Sequence, residues 1–369
     1  SVVEAFHKVK TIYGTEMTGV TVLWPDGSNG SWYDSGGIHI EQDDRFDRDV
    51  ILHEYGHYIQ DTFNFQDGSV GSDTAHSWNQ DLRFWAGNVP VNRSDEEARN
   101  LAFREAWPTF FSISVQFADT NDTAYDDDVT EGLHLDLESE IIWYTNMGPG
   151  EYDEGMNTCS LWDIFDNNNH IVDDNDTLAL GHDEIWTLVR YDKDDDIVGF
   201  WNSWFGRYGK AREVTRVFLD HRMQFIAQTP ENPTPNDNAT DQSLSVDLNW
   251  DDASNATSYD VYFGTDSTPD SGEFKGNTVT SAWNLPTLNP NTMYFWQVIS
   301  KDGQAEAEGP VWSFTTISAP PGFLQFKSAT YTVDEDGGSI RIYVSRTDGS
   351  YGAASVNYAT ANGSATAGS

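Results

Sequence analysis

The apolar positions of the chain follow a helical period in its first part and a strand period in its second. Apolar residues that recur every three or four positions predict helices over 2–14, 49–63, 95–114 and 201–225. Two shorter runs, 19–24 and 37–42, have the character of strands. Later the period changes to two, between regularly spaced turn residues. This second pattern predicts strands at 245–250, 258–264, 278–283, 293–300 and 310–316.

Two proline-rich segments divide the chain. The first, 229–242, has prolines among small polar residues, as extended linkers do, and the second is the Ala-Pro-Pro-Gly sequence at 319–322. They predict a multidomain protein in which an α+β domain precedes an immunoglobulin-like all-β sandwich module and an incomplete β module. The predicted ranges are 1–228 for the first domain, 229–242 for a linker that overlaps the next module, 231–317 for the sandwich and 323–369 for the last module.

Composition excludes several classes of protein. With 20 Lys and Arg against 60 Asp and Glu, the net charge is −40, so neither nucleic acid nor an anionic membrane surface is expected as a partner. No apolar run approaches the roughly 18 residues of a transmembrane helix. A hydrophobic fraction of 38% argues against a disordered acidic chain. The single cysteine, Cys159, excludes an internal disulfide.

The acidic residues are concentrated in one part of the chain. Residues 105–189 contain 20 acidic side chains and neither Lys nor Arg. One interpretation is a solvated, salt-tolerant surface. The other is bound Ca²⁺, which takes six to eight oxygen ligands. The segment 163–177 is the best local candidate, although its spacing does not match an EF-hand, and its candidate ligands are Asp163, Asp166, Asp173 and Asp174.

The sequence HEYGH at 53–57 carries the clearest chemistry. His53 and His57 are four apart, so on a helix they share one face and can bind one Zn²⁺. Glu54 follows the first histidine and is placed to take a proton from water beside the metal. Gly56 lowers the intrinsic helicity, so packing is expected to hold this helix.

Catalytic zinc uses three protein ligands, so a third one is required. The next histidine, His76, is too distant for the metzincin pattern, which leaves a carboxylate on a later helix. The candidates are Glu96, Glu97 and Glu105. We favour Glu105, because its neighbours are apolar and a buried carboxylate needs a cationic partner. The alternative partner for Glu105 is a nearby arginine, Arg99 or Arg104.

HEYGH followed about fifty residues later by Glu-Ala-Trp resembles the zincin metalloproteases, specifically the gluzincin branch that is thermolysin-like in the broad sense. The resemblance covers the layout of residues 1–228. It implies zinc bound by His53, His57 and Glu105, and Glu54 as the general base of peptide hydrolysis. It also implies that GGIHIEQ (36–42) is an edge strand on which an extended substrate pairs.

Two positions depart from that family. Its thermolysin-type members have an aspartate four residues after the ligand glutamate, which orients a zinc-bound histidine, and here that position is Thr109. Asp61 is a possible substitute, or a plain helix-end carboxylate. The family also uses a histidine or tyrosine to stabilise the oxyanion. Tyr152 precedes a predicted helix and is the candidate catalytic residue for this role, with a surface tyrosine as the alternative; the rivals are His134, Tyr144 and His170.

The remaining segments resemble two kinds of β module. Residues 231–317 resemble a fibronectin type III domain through Trp250, Tyr259 and Tyr294, which lies six residues after Leu288 as in a tyrosine corner. Residues 323–369 resemble the first half of a Calx-β motif, whose acidic residues bind Ca²⁺, and Glu335 matches one such position. That resemblance implies a motif continuing after residue 369.

Together these features predict a secreted or cell-surface zinc endopeptidase that acts on proteins or peptides. Zn²⁺ is the expected cofactor, with Ca²⁺ as a further candidate, and the β modules are expected to bind cell-surface or matrix components. An alternative is a cell-surface adhesin whose zincin domain is non-catalytic. A third hypothesis is a zinc hydrolase that acts on bonds other than peptide bonds.

Overall fold

The structure is a computed structural model in which most of the chain is described. The described residues are 2–14, 16–27, 30–72, 75–76, 80–86, 89–120, 124–127, 133–137, 148–166, 178, 180–209, 211–318, 322–334, 336–359 and 361. Among them, no helix combines the length and apolar character that crossing a membrane requires.

Helices dominate the first part of the chain, and strands dominate the second. The helices are α1 (Val2–Tyr13), α2 (Arg48–Phe63), α3 (Asp95–Thr120), α4 (Glu154–Phe165), α5 (His182–Thr187), α6 (Ile197–Tyr208) and α7 (Ala211–Asp220). Two 3₁₀ turns lie at Asp44–Phe46 and Gly150–Tyr152, and a π-helical turn at Leu188–Asp192 follows α5.

The strands of the first part are short. They are β1 (Val22–Leu23), β2 (Trp32–Asp34), β3 (Gly37–His39), β4 (Trp85–Ala86), β5 (Val89–Pro90), β6 (Ala124–Asp127) and β7 (Leu133–Asp136). The later strands are β8 (Ala239–Gln242), β9 (Leu248–Asn249), β10 (Ser258–Gly264), β11 (Phe274–Thr278), β12 (Ala282–Trp283), β13 (Met293–Lys301), β14 (Glu306–Glu308), β15 (Trp312–Thr316), β16 (Phe323–Phe326) and β17 (Val344–Thr347).

Helix α3 lies at the centre of the helical part, where it packs against both α2 and α4. Its aromatic side chains Trp107, Phe110 and Phe111 are almost fully buried, and so are Tyr55 of α2 and Trp162 of α4. Burying one such side chain stabilises the fold by roughly 1.5–3 kcal/mol. A charged residue in the middle of α3 therefore lies within this apolar core.

The small sheet beside α2 corrects one prediction. Its strand order is β1-β3-β2, with β1 parallel and β2 antiparallel to β3. GGIHIEQ contains β3, so it forms the central strand rather than the edge strand that was expected. Ile38 and Ile40 of this segment are buried. The edges of the described sheet are β1 and β2.

The predicted helix 201–225 is in fact two helices. Gly209 has φ +69° and ends α6, and α7 begins at Ala211. Glycine adopts this left-handed backbone without the strain that a side chain causes. The periodic pattern continued across the break because both helices bury apolar residues.

The β part has sandwich-like sheets. One sheet has the order β11-β10-β13-β15-β8, with β14 also paired to β13, and β9 pairs with β12. The buried residues of β10 alternate along the strand, as the two-residue period predicted. Tyr294 also makes the predicted corner, because its hydroxyl oxygen accepts a hydrogen bond from the backbone N–H of Asn289 at 3.0 Å. Strands β8, β11 and β14 were not predicted.

The chain divides into two compact units. The first contains 1–230 together with 252–260 and 299–309, and the second contains 231–251, 261–298 and 310–369. Two segments of the β part therefore belong to the unit that carries the helices. In the second unit, β16 and β17 form an antiparallel pair.

Candidate metal centre

Helix α2 carries the HEYGH sequence within the core. The helix begins after Asp47, whose side chain accepts hydrogen bonds from the backbone N–H groups of Asp49 and Val50 at 3.0 and 3.1 Å. His53 and His57 lie one turn apart on one face, and their ring centroids are 4.8 Å apart. The predicted helix therefore presents both imidazoles on the same side.

Helix α3 approaches α2 closely because Gly56 has no side chain. A Cβ atom on Gly56 would lie 2.8 Å from both Cα and Cβ of Pro108. Glu105 and Thr109 lie within one turn of Pro108 on α3, so the close crossing brings both of them to the histidines. The Glu105 side chain is 10% exposed, which makes it a buried carboxylate as the sequence suggested.

Three potential ligand atoms converge at this crossing. Nε2 of His53 lies 3.1 Å from Nε2 of His57. Oε2 of Glu105 lies 3.0 Å from Nε2 of His57 and 3.6 Å from Nε2 of His53. Ligands about 2.0–2.1 Å from a tetrahedral zinc ion are about 3.3 Å apart, so the donor set fits zinc. Within the described ranges, this is the one group of three or more His, Cys, Asp or Glu residues whose ligand atoms converge.

The other ring nitrogen of each histidine contacts a neutral oxygen. Nδ1 of His53 lies 2.8 Å from Oγ1 of Thr109, and Nδ1 of His57 lies 2.9 Å from Oε1 of Gln60. Gln60 is itself held in place, because its Nε2 donates a hydrogen bond to the carbonyl oxygen of Arg104 at 2.9 Å. These contacts orient both rings with Nε2 toward the ligand group.

A third histidine, His76, lies beside the ligand group. Its Nε2 is 3.5 Å from Oε2 of Glu105, and its Nδ1 is 2.8 Å from Oε2 of Glu154, a fully buried side chain. The His76 side chain is 31% exposed, so it faces both the ligand group and solvent. The preceding carbonyl, that of Ala75, accepts a hydrogen bond from the buried Arg93, which fixes the backbone next to His76.

The charged side chains of this group shift one another's pKa values. Burial favours the neutral carboxyl of Glu105, but His57 and His76 outweigh burial and hold its pKa well below the usual range. Burial lowers the pKa of His57, yet Glu105 reverses the effect and raises that pKa to about 8. For His76, Glu105 and Glu154 together outweigh burial and raise the pKa to about 10. Burial raises the pKa of Glu54, which makes its carboxylate a stronger proton acceptor than an exposed glutamate.

Two residues predicted to act in the site make contacts of another kind. The ring of Tyr152 lies under the Arg83 guanidinium, 3.9 Å from ring centroid to Cζ, and Cζ of Arg99 lies 5.9 Å from the same ring centroid. These contacts pack the Tyr152 ring against two arginines, and its role in oxyanion stabilisation stays a prediction. Asp61 accepts a hydrogen bond from the Tyr33 hydroxyl at 2.8 Å, so it is not the partner of His57.

The rival residues for the oxyanion role are only partly described. His134 lies on β7, while Tyr144 and His170 lie outside the described residues. The sequence did not indicate a role for His76, because a histidine 19 residues after His57 fits no known ligand spacing. Its one signal was being the first histidine after HEYGH.

The predicted calcium ligands do not form a group in the part of the chain that is described. Oδ2 of Asp163 lies 2.8 Å from Nε2 of the buried His221. Asp166 is buried directly after the last residue of α4. Neither joins a set of three or more potential ligands among the described residues. The other candidates, Asp173, Asp174 and Glu335, lie outside them.

The last part of the chain is similar to a known domain family. Residues 319–369 match the model of the Calx-beta domain. This agrees with the predicted Calx-β motif at 323–369. No curated protein matches the chain.

Several solved structures are similar to a quarter of the chain. FN3tt is 17% identical with a TM-score of 0.20, and the match covers 25% of this chain and 95% of that one. The fn3 domain of human collagen alpha-1(XX) chain is 22% identical with a TM-score of 0.23, over 27% of this chain and 94% of that one. An Fn3-like protein from Clostridium thermocellum is 16% identical with a TM-score of 0.19, over 24% of this chain and 88% of that one. With TM-scores this low, the description of the β part rests on its own strands.

Proposed function

We propose that the chain is a zinc-dependent endopeptidase in which His53, His57 and Glu105 hold the metal. The observation that carries the proposal is the convergence of their three ligand atoms, 3.0 to 3.6 Å apart, next to the buried Glu54. Two imidazoles and one carboxylate are a zinc donor set, and three protein ligands leave a position for the reaction. When bound, zinc supplies Lewis acidity toward a carbonyl oxygen and toward water.

The residues around the ligands would move and hold protons. Glu54 accepts a proton from the attacking water on its carboxylate and then gives it to the leaving amine. His76 is the proposed hydrogen-bond donor to the substrate oxygen in place of Tyr152. Its Nε2 lies beside the ligand group, and its Nδ1 is fixed by Glu154. Glu154 keeps the ring oriented and favours its protonated form.

The proposed place of action is outside the cell, with a protein or peptide as substrate. The similarity of residues 319–369 to a Calx-beta domain and the sandwich-like β part support a modular extracellular protein whose β modules bind surface or matrix components. The absence of a membrane-crossing helix among the described residues is compatible with this.

The role of Glu54 can be tested by replacing it with glutamine. Glu54→Gln removes the proton acceptor but not a metal ligand, so we expect stoichiometric zinc and a loss of hydrolysis by at least about 100-fold. Zinc content and cleavage of an unfolded protein are measured together. Glu96→Gln, an exposed residue of α3, is the matched control and should keep both. Full hydrolysis by Glu54→Gln would contradict the proposal.

The second candidate function is that of an adhesin with a structural, non-catalytic zinc site. His76 is the residue that distinguishes it: its Nε2 lies 3.5 Å from Oε2 of Glu105 but outside the group of three converging ligand atoms, so a closed site would require it to move in as a fourth ligand. His76→Ala separates the two functions. If His76 is a hydrogen-bond donor, the variant keeps its zinc affinity within a few-fold and loses about 10²-fold or more in kcat. If His76 is a fourth ligand, zinc affinity itself falls by orders of magnitude.

A further inference from the structure

The two candidate zinc ligands on α2 have the same kind of partner at Nδ1, the outer ring nitrogen, which faces away from the ligand group. Nδ1 of His53 and Nδ1 of His57 both contact oxygen atoms of uncharged side chains, Thr109 and Gln60. Thermolysin-type enzymes, which the first part of the chain resembles, have an aspartate where this chain has Thr109. Asp61, the carboxylate on the next turn of α2, is bonded to Tyr33 instead. Both outer nitrogens are therefore supported by neutral groups.

The direction of each hydrogen bond follows from the second contact that each partner makes. The Thr109 hydroxyl donates its single hydrogen to the carbonyl oxygen of Glu105 at 3.3 Å, so Oγ1 is left to accept. The amide of Gln60 donates through Nε2 to the carbonyl of Arg104, so its Oε1 faces His57. In both contacts the imidazole Nδ1–H donates. Each Nε2 then keeps its lone pair for a metal ion.

We propose that Thr109 and Gln60 are positioning residues that hold His53 and His57 in the Nδ1–H tautomer through neutral acceptors, and that this neutrality sets the zinc affinity of the centre. The inference rests on the proposed metal centre. A carboxylate acceptor makes an imidazole more basic and a stronger ligand. A hydroxyl or amide acceptor orients the ring without that gain, so the metal keeps more of its positive charge for the substrate.

Thr109 offers the sharper test, because valine has nearly its shape but no hydroxyl. Zinc dissociation constants are measured by competition with a chromophoric chelator, without any substrate. We expect Thr109→Val to weaken zinc binding about 10- to 100-fold. Thr109→Ser, which keeps the acceptor, should stay within about threefold of the wild type, and Thr109→Asp should bind zinc more tightly than the wild type.

Thr158 provides the matched control. Its buried hydroxyl also donates to the carbonyl oxygen four residues earlier, that of Glu154, at 2.9 Å. Thr158→Val therefore makes the same chemical change in the neighbouring helix α4 and should change zinc affinity by less than about threefold. Circular dichroism of each variant shows whether the fold is kept.

A second measurement determines which ring nitrogen of each histidine carries the proton. Long-range ¹H–¹⁵N NMR spectra of the zinc-loaded protein should show a proton on Nδ1 and zinc on Nε2 for both His53 and His57. Zinc on Nδ1 of either ring would overturn the inference.

The possible outcomes separate the inference from the proposed function. A wild-type protein that binds no zinc overturns both. A wild type that binds zinc, with Thr109→Val folded and equal in affinity, overturns only the role of Thr109. Equal losses in Thr109→Val and Thr158→Val would show a general effect of buried hydroxyls and would also overturn that role.

Discussion

At the scale of single residues, Asp153 is a buried acid with an unusual titration. Its Oδ1 caps α4 by accepting a hydrogen bond from the backbone N–H of Met156 at 3.1 Å, while its Oδ2 has no hydrogen-bond partner in the described structure. Burial raises the pKa of Asp153 to about 7, far above its value of about 4 in an unfolded chain. At a pH between these two pKa values, the folded protein binds more protons than the unfolded chain. The ionisation of Asp153 therefore lowers the free energy of unfolding as the pH rises from about 4 to about 7.

Replacing Asp153 by asparagine should remove this dependence on pH. Asparagine keeps a cap oxygen but cannot ionise. The difference in free energy of unfolding between Asp153→Asn and the wild type should therefore be close to zero at pH 4. At pH 8 the variant should be the more stable protein by on the order of 3 kcal/mol. Urea unfolding in the presence of a chelator measures it without the pH dependence of metal binding. Asp153→Ala should show the same change with pH from a lower starting stability. A difference that does not vary with pH would contradict the assignment.

Single residues also show which parts of the candidate site could be predicted from the sequence. The spacing of His53 and His57 was enough to predict that they share one face, because both lie on one helix. The apolar neighbours of Glu105 in the sequence indicated a buried carboxylate. His76 could not be found in this way, because contacts with residues distant in the sequence, Arg93 with Ala75 and Glu154 with His76, place it at the site. The contact between Thr109 and His53 also depends on how two helices cross, which no single-helix pattern encodes.

At the scale of secondary-structure elements, the crossing of α2 and α3 depends on Gly56. An alanine there improves helix propensity by about 1 kcal/mol, but its Cβ would lie 2.8 Å from Pro108 and force the helices apart. We expect Gly56→Ala to lower the free energy of unfolding by about 1–3 kcal/mol and to weaken zinc binding. Gly206 of α6 is the matched control, because a Cβ there meets nothing within 4 Å. Gly206→Ala should be neutral or stabilising, and equal effects of the two changes would contradict this account.

Element boundaries were predicted less well than element types, for identifiable reasons. The two-residue period located β10 and β13 because their buried faces alternate. It missed β11, whose residues are mostly exposed and carry no apolar alternation. The edge position of GGIHIEQ was inferred from a resemblance, and β2, an unpredicted strand, occupies the side that was expected to be open.

At the scale of the whole molecule, the helical unit includes part of the β region. Ala305, at the turn between β13 and β14, is fully buried in the same core cluster as Trp107 and Phe200. Arg212 of α7 also pairs with Glu306 of β14 at 2.8 Å. A sequence pattern with a period of two could not reveal this, because the pattern records which face of a strand is buried and not which core buries it.

This arrangement makes Asp302 a structural residue of the helical unit. Its Oδ1 accepts hydrogen bonds from the backbone N–H groups of Gln304 and Ala305 at 2.9 and 2.7 Å, and its Oδ2 accepts one from that of Ala227 at 2.9 Å. Asp302→Ala removes both acceptor oxygens and with them three hydrogen bonds, so the free energy of unfolding of this unit should fall by about 2–4 kcal/mol. Chemical denaturation followed by circular dichroism measures the loss.

An exposed aspartate in a similar turn provides the control for Asp302. Oδ1 of Asp266 accepts a hydrogen bond from the backbone N–H of Thr268 at 2.9 Å, and Asp266 belongs to the second unit. Asp266→Ala should cost no more than about 0.5 kcal/mol, because water replaces the lost acceptor. If Asp302→Ala is equally mild, the segment 299–309 does not contribute to the helical core. A large loss confined to Asp302→Ala would mean that the proposed peptidase unit requires residues from the β region to reach its full stability.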